Sequence, residues 1–296
     1  MDWDKLRILH AVAEAGSFTH AGEKLNLSQS AVSRQISALE ESLNVPLFHR
    51  HARGLILTEQ GEVLNRTAKE VFHKLAIAES TLRDSKERPS GPLRINCTIA
   101  FGSTWMTLRI REFIELYPDI DVSLLVSNRE LDLSMLEADC AVRMTAPTQP
   151  DLVQRHIMTV HNHAYAAPEY LKKFGWPSTA KDLDDHKLVV YGSDERPPVP
   201  NLNWLLTQGS RSAKRRPVLR VNNVYGIFRA VESGLGIASL PDYVVNSHQG
   251  RLVRVLPDLE GPSYDTYFVY PDEQRNSKRV AVFRDFLIRK VAESEF

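Results

Sequence analysis

SFTHAGEKLNLSQSAVSRQISALEESLNVPLFHRHARGLILT, residues 17–58, is the stretch that decides how this chain folds. It reads as two short helices joined by a tight turn, followed by a hairpin rich in bases. Ser17 stands where a cap belongs, and Ala21 and Leu25 make the apolar side of the first helix. Asn26-Leu27 forms the turn, and Ser28 caps the next helix. Along residues 28–40, Val32, Ile36 and Leu39 recur at helical spacing and are expected to face inward. The other side carries Ser28, Gln29, Ser30, Ser33, Arg34 and Gln35. Amides, hydroxyls and a guanidinium suit the hydrogen-bonding edges of bases and phosphates in a DNA major groove.

A polar helix face is usually only solvated, so the order of the following elements matters. Leu43, Val45, Pro46, Leu47 and Phe48 form an apolar anchor. His49, Arg50, His51 and Arg53 follow, and Gly54-Leu55-Ile56-Leu57 reads as a returning strand. No acidic residue lies between Ser42 and Thr58. A loop carrying only bases, beside a polar helix, is a place to hold phosphates.

AGSFTHAGEKLNLSQSAVSRQISALEESLNVPLFHR followed by LTEQG closely resembles the winged helix-turn-helix of LysR-type transcriptional regulators. The resemblance implies that residues 28–40 enter the major groove and that Arg50 and Arg53 lie in or near the wing. One departure is visible: such regulators usually have two alanines where this chain has Ala21-Gly22. A helix-interior glycine costs up to ~1 kcal/mol, so a softened first helix is expected.

The chain has 296 residues, long enough for two or more domains. Acidic and basic residues balance at 37 each, against a protein that coats polyanions generally. Bases placed locally still suffice for DNA. The start, MDWDKLRILHAVAEAG, reads as an amphipathic helix with Leu6, Leu9 and Val12 or Ala13 inward, not as a secretion signal. No apolar run approaches the ~20 residues needed to span a bilayer, so a cytoplasmic location and no membrane partner are expected.

Thr58 opens an uninterrupted segment that ends at Pro89. Leu64, Ala68, Val71, Leu75, Ala78 and Leu82 follow steps of four and three, the period of a coiled-coil seam. Such a helix reaches roughly 40 Å, and its narrow apolar stripe calls for a second copy. In the resembling family this helix dimerises and spaces two DNA-reading heads. A two-fold dimer implies a roughly palindromic double-stranded DNA site. Dimers of dimers are typical there, so a homotetramer is expected, with RNA polymerase as a further candidate partner.

ERPSGP, residues 87–92, marks a composition break. Beyond it strands at 93–99, 120–126 and 140–144 alternate with a helix at 104–117 and a helical turn near 131–137, which points to a parallel α/β sheet. A second lobe begins near His163, with strands at 188–191 and 218–221 and a helix at 225–233. A strand at 264–270 returns, and a helix at 280–292 is expected to pack on the first lobe. GLGIASLPDYVV (234–245) and LEADCAVRM (136–144) resemble the family's ligand-sensing half, which is similar to type 2 periplasmic binding proteins. The expected architecture is α/β throughout: a winged helix-turn-helix at 1–58, a dimerisation helix at 59–89, and an effector domain at 90–296. Its first lobe covers 90–162 and 265–296, and its second 163–264. Within the family the sensor looks nearest the glycine-cleavage-activator and β-lactamase-regulator branch, in an alphaproteobacterial group governing virulence or symbiosis.

Ligands of parallel α/β sheets bind beyond the carboxyl ends of the strands. Phe101, Gly102, Ser103 and Thr104 stand after the first strand, at the expected start of a helix, where free amides hold anions. Ser127 and Asn128 end the second strand and Arg143 follows the third. Asn223 and Tyr225 precede a helix in the other lobe. A small polar or anionic effector is the expected occupant, although Ser103 and Thr104 equally suit ordinary caps and Arg143 an internal carboxylate.

Three other features carry rival readings. His161 and His163, with His156 nearby, share a strand side, but no carboxylate or cysteine motif completes a metal site. Cys97 and Cys140 sit in strands expected to be neighbours, so a redox-responsive regulator is the alternative; buried cysteines are more often small core residues. The basic run at 210–216 reads as a solvated loop. A solute-binding protein or enzyme on the same fold is the remaining rival, and no nucleophile–base set, phosphate loop or cofactor motif supports it.

Overall fold

Helix α1 (Trp3–Ala15) opens the chain, with Asp2 at its amino end accepting from Asp4 N. The computed structural model describes residues 2–51, 54–83, 88–135, 137–147, 149, 151–192, 197–210 and 215–294. They divide into two compact units, Met1–Glu79 and Ser80–Phe296.

In the first unit, α2 (Phe18–Leu25) and α3 (Gln29–Leu43) are capped as their sequence implies. Ser17 Oγ accepts from Thr19 N and Ser28 Oγ from Ala31 N, each at 3.2 Å. Asn26 takes the left-handed conformation (φ 54°) that ends α2. Ile8, Leu9 and Val12 of α1 meet Ala21, Val32, Ile36 and Leu39 in one core. Strands β1 (Phe48–His51) and β2 (Gly54–Leu57) pair antiparallel, forming the expected wing. Glu40 Oε1 accepts from Leu47 N at 2.7 Å, tying the end of α3 to the wing.

Helix α4 (Glu59–Arg83) starts from Thr58, whose hydroxyl donates to Pro46 O and accepts from Gly61 N. A Cβ on Gly61 would lie 2.1 Å from Leu47 O, so the glycine of LTEQG permits a close approach. Gly22 has a similar role: a Cβ there would sit 2.5 Å from Leu27 O. The missing methyl at Gly22 lets the turn close against the helix, a role that the softening expected of α2 leaves out.

In the second unit, β3 (Gly91–Cys97) runs parallel to both β4 (Ile120–Val126) and β5 (Cys140–Arg143). Helical backbone begins at α5 (Ile99–Phe101), passes through a π-helical segment at Gly102–Met106 and continues as α6 (Thr107–Leu116). The sheet is mixed rather than wholly parallel. The 15-residue strand β6 (Leu152–Ala166) leaves the first lobe and enters the second. There follow α7 (Pro168–Phe174), β7 (Val189–Tyr191), β8 (Leu219–Val221), α8 (Val224–Glu232), β9 (Ile237–Pro241), α9 (Asp242–Asn246) and β10 (Val253–Val255). Strand β11 (Ser263–Pro271) returns antiparallel to both β5 and the Leu152–His161 part of β6. The remaining Asn162–Ala166 part of β6 pairs with β9 and β10. Two lobes joined by long crossing strands result, as expected. Helix α10 (Lys278–Ala292) places Phe283 and Phe286 against Phe113 of the first lobe.

A polar helix face and a cleft with one buried cation

Helix α3 buries Val32, Ile36 and Leu39 and exposes Ser28, Gln29, Ser30, Arg34 and Gln35, with Ser33 half-buried. Periodicity alone produces this division, because the inward residues complete the core. Arg34 Nε makes a single long contact, 3.4 Å to Ser30 O. Its remaining donors and the amides of Gln29 and Gln35 are thus presented together along one surface. Arg50 lies in β1 opposite Leu55. Arg53 falls outside the described residues.

The seam of α4 is divided. Ala68 is buried, and Leu64 packs on the core of the three-helix head. The Phe72 ring lies tilted against the Trp3 ring, with centroids 4.6 Å apart. Farther along, Leu75 is 46% exposed and Ala78 is exposed. The side chain of Leu82 lies outside the described residues.

Between the lobes of the second unit lies a cleft of about 580 Å³. Thr98, Ser127, Asn128 and Arg143 line it from strand ends of the first lobe, and Pro197, Pro198, Val199 and Pro200 from the second. Three of the sequence-predicted residues are thus brought together: Ser127, Asn128 and Arg143. Asn128 also bridges the lobes. Its Oδ1 accepts from Ile99 N at 3.2 Å, and its Nδ2 donates to Asn222 O at 3.3 Å.

Phe101, Gly102, Ser103 and Thr104 stand elsewhere, and their expected position is corrected. The helix begins five residues earlier than the pattern indicates, so these residues occupy its first turns and not an open amino end. Phe101, Gly102 and Thr104 are buried, and the Thr104 hydroxyl donates back to Ala100 O at 2.8 Å. Phe101 stacks on Trp105 at 4.8 Å. Ser103 is exposed. Asn223 spends its carbonyl capping α8 through Gly226 N, and Tyr225 packs on Phe228 and His248. Neither lines the cleft, although their neighbour Val224 borders a void of about 10 Å³ together with Thr98 and Asn128. Sequence reasoning missed Thr98 and the proline wall. Thr98 had a signal, a threonine directly before the apolar run Ile99-Ala100-Phe101; the wall, remote in sequence, had none.

Arg143 is 7% exposed. Its guanidinium donates to Asn96 Oδ1 and, at 2.8 Å, to Leu131 O, both neutral acceptors. Burial pushes its pKa below the ordinary arginine value, and the Glu130 carboxylate opposes that shift.

Cys97 and Cys140 do lie on adjacent strands, yet both are buried free thiols. Burial pushes Cys97 up to about 12 and Cys140 well above its usual range, so neither is a reactive thiolate at neutral pH. His163 Nδ1 is bonded to Asp242 at 2.8 Å, and His161 is exposed. Among the described residues no group of three metal-binding side chains assembles. Arg215 corrects the reading of the basic run: it is buried, paired to Asp184 at 2.6 Å, and donates to the carbonyls of Leu205, Gln208 and Ala180. Residues 211–214 fall outside the described residues. No described helix is long and apolar enough to cross a membrane.

A helix-turn-helix with an exposed polar recognition face, followed by a two-lobed sensor with an open cleft, defines a ligand-responsive DNA-binding regulator. The comparisons give the family. Residues 3–62 match the bacterial regulatory helix-turn-helix proteins of the lysR family, and residues 86–292 match the LysR substrate binding domain. A transcriptional regulator of Xanthomonas campestris pv. campestris is 30% identical over 98% of this chain and 86% of its own length. The full-length structure of AphB, a virulence activator of Vibrio cholerae, shares 30% identity with TM-score 0.63, covering 98% of this chain and 99% of AphB. CrgA of Neisseria meningitidis gives 28% identity and TM-score 0.62, with 98% and 99% covered. The chain belongs to the LysR-type transcriptional regulators: it is a DNA-binding regulator with an effector-binding domain, and not an enzyme.

Proposed function

We propose that the exposed face of α3 reads a roughly palindromic double-stranded site, with Ser28, Gln29, Ser30, Ser33, Arg34 and Gln35 facing base edges and phosphates. Arg50 and Arg53 of the wing hold the flanking backbone. The observation that carries this reading is the division of α3, whose buried and polar faces separate cleanly. Two copies pair along α4, whose apolar stripe becomes exposed at Leu75, and two dimers join as a tetramer. A small polar or anionic effector enters the cleft at Ser127, Asn128 and Arg143 and shifts the subunit arrangement only through its differential affinity for the two arrangements. Residues 1–58, 59–89 and 90–296 serve as reader, dimerisation helix and sensor, with sensor lobes at 90–162 with 265–296 and at 163–264; the matched spans 3–62 and 86–292 support these limits. RNA polymerase is the proposed recipient of the signal and the cytoplasm its place.

The narrower placement, near the glycine-cleavage-activator branch and in an alphaproteobacterial group, remains a proposal from the sensor's sequence; the relatives above come from Xanthomonas, Vibrio and Neisseria. Capture of genomic fragments by the purified full-length chain at modest salt tests the central reading. Recovery of a common motif with two-fold symmetry is expected; retention without sequence preference contradicts it.

A further inference from the structure

Resting on the effector-cleft reading above, we propose that the cleft takes an amphipathic monocarboxylate. Its single carboxylate meets Arg143, and its aromatic or branched hydrocarbon body lies on the wall formed by residues 197–200. Arg143 is the first reason. A guanidinium has five N–H donors, and here two neutral oxygens engage it in a buried position. A buried charge without a paired counter-charge is costly. An incoming carboxylate relieves that cost through a charge-assisted, two-pronged hydrogen bond.

Among the described residues the cleft offers no equivalent second cation. Arg129 is the other basic residue among its described lining, but that side chain is 74% exposed and engages Glu137 at 3.8 Å. Glu130 also lines the cleft and is exposed. A second acid group would meet its charge. These terms favour one carboxylate over two.

The opposing wall decides the rest of the molecule. Pro197, Pro198, Val199 and Pro200 supply no side-chain donor or acceptor, and Val142 and Met144 add apolar surface from the first lobe. A ligand polar throughout would give up hydration there without replacement. The volume, about 580 Å³, also lies within the ~300–1,000 Å³ typical of sites for drug-sized ligands, and exceeds what a four-carbon acid fills.

Calorimetric titration of the full-length protein with 3-phenylpropionate, 3-phenylpropionamide and succinate tests this. The acid is expected to bind about tenfold or more tightly than its amide, the size of one charge-assisted hydrogen-bond set, and succinate no better than the amide. Arg143→Gln should abolish the preference for the acid, bringing acid and amide within about twofold of each other when both are measured on the variant. Arg143→Lys, which keeps the charge and guards against misfolding, should fall between. Pro198→Ser, on a half-buried loop position, should weaken acid and amide alike. Succinate binding more tightly than phenylpropionate, and losing affinity with Arg143→Gln, overturns the ligand class and leaves the cleft standing. Phenylpropionate binding that neither Arg143→Gln nor Pro198→Ser alters overturns the cleft reading itself. Failure of every probe to bind at millimolar concentration overturns the ligand class.

Discussion

Two arginines show how differently the two halves of this molecule are built. Arg34 stands on the outside of a helix whose inner face packs into the core, and among the described residues its guanidinium makes one long contact. Arg143 stands inside, at the end of a strand, held by neutral acceptors from neighbouring segments. A surface reader can be altered without disturbing its scaffold, whereas the sensor's charge is part of the scaffold that shapes its cleft.

The largest expected effects lie where each scaffold is least tolerant. Asp184→Ala strips Arg215 of its carboxylate in a buried setting, and such a loss costs about 3–5 kcal/mol. Chemical denaturation followed by amide exchange should place that loss in the second lobe; a change under 1 kcal/mol (the scale of a surface pair) would show the ion pair to be solvated. In the reader, Leu39→Ala empties a fully buried position and should cost about 2–5 kcal/mol. The same exchange measurement should find the loss in residues 2–51.

A third expectation separates metabolite sensing from redox sensing. With both thiols pushed upward by burial, neither should react with a disulfide reagent at pH 8 in the native protein. Both should react after unfolding. Rapid loss of one thiol from the native state, or a Cys97→Ser variant that no longer responds to peroxide, would revive the redox reading.

The smallest effect is a pH dependence in the second lobe. Burial lowers the His186 pKa below 6.5, against the pull of Asp182 and Asp185. Its Nδ1 lies 3.1 Å from the Tyr170 hydroxyl, which already accepts from Lys187 N and so has its proton to give. The neutral ring is therefore the form that fits. Stability should be fully present above the unfolded-state value and decline as pH falls through the folded one. His186→Gln should flatten denaturation midpoints measured between pH 7.5 and 5; an equal slope in the variant would remove His186 as the cause.

The contrast between the units also explains what the sequence could tell. In the reader, caps, turn and core are local. Ser17, Ser28 and the Val32–Ile36–Leu39 spacing are each fixed by residues a few positions away, and they appear where the pattern puts them. The wing follows from Phe48 and Leu57 in register. In the sensor the strand order around β3 was legible, and so were Ser127, Asn128 and Arg143, because strand ends collect ligands whatever the details. The start of the helix after β3 was not. Ile99, Ala100 and Phe101 look like the end of an apolar strand, and only packing against Trp105 and Tyr243 turns them into helix. The proline wall comes from a segment some fifty positions beyond Arg143, and no local rule brings them together.

DNA reading by this chain depends on the exposed face of α3. Fluorescence anisotropy at fixed salt, with wild type and Arg34→Ala on a captured genomic site and on a scrambled duplex, measures it directly. The variant should lose about 1–3 kcal/mol on the captured site for each α3 contact, lose much less on the scrambled duplex, and unfold at the wild-type midpoint. Equal affinity of variant and wild type for the captured site would contradict the claim that this helix face reads DNA.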